Sequence, residues 1–240
     1  MTDQHNDVQE WTDAFAGVGT GTIAGFLRSR GYPKQFVTGL RSFGSVSSFA
    51  GQAYTMRLVP YRPDLAPAPG EDPFRDVVET MPAGRVLVVD CMQDQGAGVI
   101  GDMLASRLVA RGVVGVVTDG AVRDSRGLAP LAMPIYSRGV NSSLRSASYI
   151  VGDLQSTIAC GGVTVVPGDI LVGDEDGVIV IPGELAAELA RLGREQEDLE
   201  AYLAPRVLAG ESLIGLYPPN ATNRAAFEEY RERVNGRVAE

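Results

Sequence analysis

The pattern of hydrophobic positions predicts alternating helices and strands along most of the chain. Apolar residues at helical spacing, followed by a glycine, predict a first helix over residues 20–31. Continuous apolar runs at residues 85–90 and 113–118 predict two buried strands, and the segment between them predicts a helix over residues 102–111. A strand, a helix and a strand in this order indicate two parallel strands joined by a crossover.

Similar patterns outside this unit predict a single α/β domain with a helical extension at its end. The further elements are strands over residues 52–59, 162–166, 170–172 and 177–181 and helices over residues 74–80, 184–209 and 222–234. Residues 60–73 hold five prolines and predict a long, stiff loop. The predicted organisation is an N-terminal tail over residues 1–19, an α/β domain over residues 20–183 and a helical extension over residues 184–240.

Composition and charge narrow the class of partner. The 240 residues carry a formal net charge of -9, which argues against a nucleic acid or an anionic membrane because phosphate binding needs a basic face. No apolar run approaches the ~20 residues that span a bilayer. The polar first ten residues lack the pattern of a signal peptide, so the expected location is the cytoplasm. Cys91 and Cys160 match no metal or disulfide motif and are expected to be buried thiols.

The chain contains a single histidine, His5, which lies in the predicted tail. Unless His5 folds back, catalysis by Ser-His-Asp or Cys-His arrangements and metal binding by histidine are not expected. Any metal would then be held by oxygen atoms, which favours Mg²⁺ or Mn²⁺ over Zn²⁺. A general base would have to be a carboxylate, the single lysine Lys34, a tyrosine or a metal-bound water.

A glycine-rich segment precedes the predicted helix at residue 102, and its sequence is Gly96-Ala97-Gly98-Val99-Ile100-Gly101. This spacing is that of a dinucleotide-binding loop, with Asp119 at the end of the following strand. Five residues, 91–95, nevertheless separate the first strand from the first glycine, which favours a loop whose glycines satisfy backbone geometry. The amides at the start of the helix would in either case lack intrahelical acceptors and could bind a carboxylate or phosphate.

The segment that follows the second apolar strand, residues 119–124, ends in Arg123 and Asp124. One interpretation is a surface turn with a local ion pair. The other is a ligand site in which Asp124 offers an oxygen to a hard cation and Arg123 binds a carboxylate. Two interpretations also remain open for Arg57 and Arg62. They are either exposed arginines that aid solubility or residues that contact the far end of an anionic substrate.

Taken in order, four motifs resemble the RraA-like family, which includes 4-hydroxy-4-methyl-2-oxoglutarate and 4-carboxy-4-hydroxy-2-oxoadipate aldolases. The motifs are Gly101-Asp102-Met103-Leu104, residues 111–124, Val166-Pro167-Gly168-Asp169 and residues 174–182, within a resemblance that covers residues 20–182. The resemblance implies a swivelling β/β/α fold similar in shape to phosphohistidine domains. It also implies a homo-oligomer, a trimer or a hexamer, with active sites at subunit interfaces.

The same resemblance implies a role for each residue of the first two motifs. Asp124 would bind Mg²⁺ or Mn²⁺, Arg123 would contact a pyruvoyl group, and Asp102 would position a water or move protons. The start of the helix at Gly101-Asp102-Met103-Leu104 would hold the substrate carboxylate through its amides. The implied activity is that of a class II pyruvate aldolase that cleaves a 4-hydroxy-2-oxo acid, with oxaloacetate decarboxylation as a side activity. The alternative is a non-catalytic regulator that binds a ribonuclease.

Two departures from the family pattern bear on the substrate. Many relatives carry an acid in the first helix, where this chain has Ala24-Gly25. The base that deprotonates the 4-hydroxyl would be a water oriented by Asp102 or by an acid from a neighbouring subunit. The candidates for that acid are Glu195, Glu197, Asp198 and Glu200, and none of them stands out. The extension and the proline-rich loop favour a subgroup that acts on a different hydroxy-oxo acid, for example one derived from a sugar.

Overall fold

The structure is a computed structural model that describes residues 10–238. His5 lies outside these residues, so the prediction of a tail stays a prediction there. The helices are α1 (Thr20–Ser29), α2 (Pro73–Thr80), α3 (Asp102–Ala110), α4 (Ser125–Leu128), α5 (Ala186–Leu208) and α6 (Ala221–Val238). The strands are β1 (Phe36–Val37), β2 (Arg41–Ser42), β3 (Phe49–Pro60), β4 (Arg85–Asp90), β5 (Gly115–Thr118), β6 (Ala121–Val122), β7 (Ile135–Ser137), β8 (Gly139–Val140), β9 (Tyr149–Leu154), β10 (Ile158–Cys160), β11 (Val163–Val165), β12 (Ile170–Gly173) and β13 (Val178–Ile181).

The main sheet is mixed and has the strand order β1-β13-β12-β3-β4-β5-β7-β2, with β9 also paired to β3. Its centre is parallel, because β3, β4, β5 and β7 all run in one direction. The remaining pairs of this sheet are antiparallel. The helix α3 connects β4 to β5, so the predicted parallel pair with a crossover helix is confirmed.

The continuous apolar run of β4 is explained by packing on both faces of the sheet. Leu87 and Val89 join the core cluster beneath α2 and α3. Val86 and Val88 point to the other face and join the cluster that includes the β10–β11 hairpin. Successive side chains of a strand point to opposite faces, so a strand covered on both sides has to be apolar throughout.

The predicted C-terminal extension packs partly on the α/β domain and partly on itself. Leu189 and Ala190 of α5 share a core cluster with Ile23 and Leu27 of α1 and with β12 and β13. Further along, α5 and α6 enclose a separate small cluster whose members are Leu199, Leu203, Leu216 and Phe227. Among residues 10–238, no helix is both long and apolar enough to cross a membrane.

Sequence patterning missed the shortest strands, among them β1, β2, β6 and β8, because two residues carry no periodicity. The strand predicted at residues 52–59 is also shorter than the observed β3. The strand runs from Phe49 to Pro60, since its first residues pair with β12 and its last residues pair with β9. The residues after Pro60 form the predicted loop, which is interrupted by a short 3₁₀ turn at Pro63–Leu65.

Candidate functional site

An open cleft of about 1120 Å³ lies where α3 begins and where β6 ends. Its lining residues are Asp102, Met103, Arg123, Asp124, Ser125, Arg126, Gly127, Val140, Asn141 and Ser142. The structure thus brings four of the residues predicted from the sequence together on one surface. Gly101 lies directly behind Asp124, and Leu104 turns its side chain towards the core, so only its amide is placed at the start of α3.

Arg123 and Asp124 line the cleft as an ion pair. The Nε atom of Arg123 lies 2.9 Å from Oδ2 of Asp124, and the two side chains are 30% and 40% exposed. Asp124 adopts the left-handed conformation with φ of 54°, which Asp tolerates better than most residues. Its carbonyl begins α4 by accepting from Gly127 and Leu128, while its carboxylate makes no capping bond. The local ion pair therefore exists, and it faces a cleft rather than open surface.

The glycine-rich loop holds this pair in place by close backbone approach. The amide of Val99 donates to the carbonyl of Ala121 at 2.8 Å, and the amide of Arg123 donates to that of Ile100 at 2.9 Å. A Cβ at Gly98 would lie 2.6 Å from the Cβ of Arg123. These glycines are therefore needed because the backbone of the loop lies so close to Arg123. The mixed sheet also differs from the doubly wound sheet of dinucleotide-binding folds.

The start of α3 offers polar groups to the same cleft. Gly101 precedes the helix without a side-chain cap, so the first amides have no acceptor within the helix. Asp102 is the first helical residue, and its side chain packs against the backbone of Gly127 in α4. Met103 is 79% exposed and forms part of the wall.

Further lining residues come from the segment that begins at the end of β8, and the sequence alone did not connect them with the site. Asn141 donates its amide to the carbonyl of Val122 at 2.8 Å and its side-chain Nδ2 to the carbonyl of Gln95 at 2.7 Å. Its Oδ1 accepts from the amide of Ser143 at 2.8 Å. Pairing of β6 with β8 brings these residues beside Arg123. No local pattern could have predicted this two-residue parallel pairing.

Asp119 belongs to the structure beneath the cleft and does not line it. Its Oδ1 accepts from the amide of Cys91 at 2.7 Å and its Oδ2 from the amide of Gly161 at 3.2 Å, and the residue is 1% exposed. Burial raises the pKa of this carboxyl above its usual value of 3.8. Burial likewise raises the pKa of the Cys91 thiol to about 12. Both Cys91 and Cys160 are buried free thiols, as predicted.

The two arginines proposed for the far end of a substrate have other partners. Arg57 bonds through Nε to Asp90 at 3.0 Å and is 37% exposed, so it serves the packing of β3 against β4. Arg62 pairs with Asp64 at 2.7 Å on the exposed loop. Neither lines the cleft. Of the two interpretations of Arg57 and Arg62, the contact to the far end of a substrate therefore finds no support in their position.

The four acids considered for a subunit interface all lie on α5, and none of them lines the cleft of its own chain. Glu195 pairs with Arg191 at 2.8 Å, and Glu200 accepts from Tyr217 Oη at 2.8 Å. Glu197 accepts from the amide of Gly19 at 3.1 Å, which joins α5 to the start of α1. Asp198 is exposed.

The structure is that of an α/β protein with an open polar cleft where α3 begins. The model of the RraA-like family, described as Aldolase/RraA, matches residues 12–180. The chain therefore belongs to the RraA-like family, and the predicted fold class is confirmed.

Two similar proteins both carry the name "Putative 4-hydroxy-4-methyl-2-oxoglutarate aldolase". The one from Halalkalibacterium halodurans is 39% identical over 119 residues, which are 49% of this chain and 56% of that protein. The match thus spans little more than half the length of that relative. The one from Laribacter hongkongensis is 32% identical over 147 residues, which are 61% of this chain and 86% of that protein.

Two solved structures are also similar. An uncharacterized protein from Pseudomonas syringae pv. tomato superposes with a TM-score of 0.78 and 24% identity, covering 87% of this chain and 93% of that one, and it supports the fold alone. RraAS2 of Streptomyces coelicolor, described as an unusual member of the RNase ES inhibitor RraA protein family, superposes with a TM-score of 0.72. It is 27% identical and covers 80% of this chain and 94% of its own.

Proposed function

We propose that this protein is a divalent-metal-dependent pyruvate aldolase, a carbon–carbon lyase that cleaves a 4-hydroxy-2-oxo acid. The observation that carries the proposal is the convergence of Arg123, Asp124, Asp102 and the free amides of α3 on one cleft. A guanidinium and helix amides bind a carboxylate, and a carboxylate binds a hard cation. The names of the two relatives favour the same class of enzyme.

The donor set fits Mg²⁺ or Mn²⁺. The described residues contain no group of three or more His, Cys, Asp or Glu side chains that could form a closed metal cage. Mg²⁺ is usually held by one or two carboxylates together with waters and substrate oxygens, which an exposed Asp124 in an open cleft can provide. When bound there, the ion would polarise the 2-oxo group and stabilise negative charge that develops on it.

The reaction that these residues support is retro-aldol cleavage. The 4-hydroxyl loses its proton, the C3–C4 bond breaks, C4 becomes a carbonyl carbon, and the electron pair forms the enolate of pyruvate, which is protonated at C3. Arg123 donates hydrogen bonds to the oxygen on which the enolate charge develops, and the α3 amides hold the carboxylate. Asp102 orients the water that removes the 4-hydroxyl proton. Decarboxylation of oxaloacetate would pass through the same enolate and is the expected side activity.

The test is pyruvate release from a panel of 4-hydroxy-2-oxo acids and from oxaloacetate, with and without EDTA. We expect EDTA to abolish turnover, Mg²⁺ or Mn²⁺ to restore it, and Asp124→Ala to reduce kcat/KM by at least about 100-fold. Asp153→Ala is the matched control, because Asp153 is exposed outside the cleft and should leave turnover unchanged. Turnover that is insensitive to both EDTA and Asp124→Ala would refute the proposal.

A second candidate function is regulation of a ribonuclease by protein–protein binding, which the description of the similar Streptomyces coelicolor protein supports. A binding surface does not require the combination of Arg123, Asp124 and Asp102. Inhibition of a ribonuclease by the wild type and equally by Asp124→Ala, without pyruvate release, would favour this function over the aldolase.

We also propose that the chain assembles as a homotrimer or hexamer with its clefts at subunit interfaces. The cleft is open in the single chain and has no acid beyond Asp102 and Asp124 among its lining residues. A neighbouring subunit would close it and could supply the missing acid. Light scattering coupled to size-exclusion chromatography measures the assembly, and a monomer at micromolar concentration would contradict it.

A further inference from the structure

We infer that Gly127 is a positioning residue, which fixes the side chain of Asp102 in the cleft by leaving room for it against the backbone of α4. Gly127 is the third residue of α4 and lines the cleft together with Asp102. The sequence by itself gave no reason to assign it a role. This role rests on the proposed function, in which Asp102 orients the water that removes the 4-hydroxyl proton.

The conformation of the backbone does not explain a glycine at this position. The φ of Gly127 lies outside the left-handed region that favours glycine, and its amide donates to the carbonyl of Asp124 at 2.7 Å in the helical turn. Alanine is more favourable than glycine within a helix, because glycine loses more backbone freedom on folding. The reason for the glycine therefore lies in the neighbours of its Cα atom.

The neighbour of that Cα atom is the side chain of Asp102. A Cβ at Gly127 would lie 2.7 Å from Cβ and 2.9 Å from Cγ of Asp102, and it would overlap Oδ2. Carbon atoms in contact normally lie about 3.5–4.0 Å apart. Rotation about the χ1 bond of Asp102 moves Cγ and Oδ2 but leaves Cβ in place. The substitution Gly127→Ala is therefore accommodated only if the start of α3 and α4 move apart.

Buried side chains hold the two helices against each other. Ala105 and Leu108 of α3 and Leu128 of α4 are all fully buried and belong to one core cluster. A shift of either helix disturbs this packing, because protein interiors are close-packed. The space at Gly127 thus determines where the side chain of Asp102 lies in the cleft.

A matching contact holds the second carboxylate of the cleft. Gly101 precedes α3, and its bare Cα faces Oδ2 of Asp124, the residue that precedes α4. Each helix start thus offers a glycine to the aspartate of the other helix. The two contacts together set the position of Asp102, proposed to orient the water, relative to Asp124, proposed to bind the metal.

A displaced Asp102 should affect the two proposed reactions to different extents. Cleavage of a 4-hydroxy-2-oxo acid requires removal of the 4-hydroxyl proton as the C3–C4 bond breaks. In oxaloacetate the C3–C4 bond breaks with loss of CO₂, and its electron pair forms the same enolate, which is then protonated at C3. That reaction has no hydroxyl proton to remove. Displacement of Asp102 should therefore slow aldol cleavage more than decarboxylation.

The experiment measures the ratio of these two activities, because a ratio does not depend on the fraction of folded protein. It compares the wild type, Gly127→Ala, Asp102→Gly and the double variant, all with Mg²⁺ present. We expect Gly127→Ala to lower the ratio of cleavage to decarboxylation about tenfold or more, and to have no further effect once Asp102→Gly is present. Gly21→Ala is the matched control and should leave the ratio unchanged, because a Cβ at Gly21 meets no atom within 4 Å.

The melting temperature of the same proteins gives a readout that needs no activity. We expect Gly127→Ala to lower Tm in the wild-type background. In the Asp102→Gly background the space for a Cβ exists, so Gly127→Ala should raise Tm there through the better helix propensity of alanine. Gly21→Ala should shift Tm equally in both backgrounds.

A rise in Tm with Gly127→Ala in both backgrounds would overturn the inference, and so would an unchanged activity ratio in Gly127→Ala. If Gly127→Ala does not fold, a folded double variant supports the contact with Asp102, and an unfolded one overturns it. Absence of pyruvate release from every acid, with the reversal of the Tm shift intact, would instead remove the aldolase proposal and support the placement of Asp102 by Gly127.

Discussion

The substitution Gly101→Ala is expected to reduce the activity of the cleft much more than the stability of the fold. Its φ of -120° and ψ of -176° suit any residue, so Gly101→Ala introduces no backbone strain. A Cβ at this position would nevertheless overlap Oδ2 of Asp124 and lie 3.1 Å from Cγ of Arg123. The substitution therefore acts on the two residues proposed to bind the metal and the pyruvoyl group.

The magnitude follows from the distance that the carboxylate must move. Relief of the overlap requires a shift of about 1 Å, and displacement of a reacting group by that amount costs about 100-fold in rate. The stability cost is smaller. The side chain of Asp124 is 40% exposed and can turn towards solvent, so the loss should lie near the low end of the 1–3 kcal/mol typical of overpacking, at about 1 kcal/mol.

The assay measures kcat/KM for pyruvate release and the free energy of unfolding in urea. Gly21→Ala is the control, because a Cβ at Gly21 meets no atom within 4 Å. Within α1 it should gain at most about 0.5–1 kcal/mol of stability and leave turnover unchanged. If Gly101→Ala keeps kcat/KM within about twofold of the wild type, the position of Asp124 does not limit the reaction and the reasoning is wrong.

Two further predictions concern stability. In a urea titration, Asp72→Ala should lower the free energy of unfolding by about 2–4 kcal/mol. The substitution removes the cap of α2 and leaves the side chain of Arg145, which is 11% exposed, without its carboxylate partner. The control Asp64→Ala breaks only the exposed pair with Arg62 and should cost at most about 1 kcal/mol. Equal losses would contradict this. Because burial raises the pKa of Asp119, its contribution to stability is greatest below pH 3.8 and falls as the pH rises through the folded-state pKa. The stability of the wild type relative to Asp119→Asn should therefore fall as the pH rises above 3.8, by up to about 1.4 kcal/mol per pH unit, until the folded-state pKa is passed, and a pH-independent difference would refute it.

The sequence alone determined the parallel centre of the fold and the core of the candidate site. Continuous apolar runs predicted β4 and β5, and helical spacing predicted α3, because these elements depend on burial within each segment. The order of motifs around Asp102, Arg123 and Asp124 led to the family, and the absence of a usable histidine restricted any metal to oxygen ligands. These inferences needed only the identity and spacing of neighbouring residues.

Only the tertiary structure decided which polar residues share the cleft. Arg57 and Asp119 resemble site residues in the sequence, yet one is paired to Asp90 and the other accepts two backbone amides beneath the cleft. Ser142 joins the site through the two-residue pairing of β6 with β8. Periodicity reports the burial of a segment and not its neighbours, so contacts between distant segments follow from packing alone.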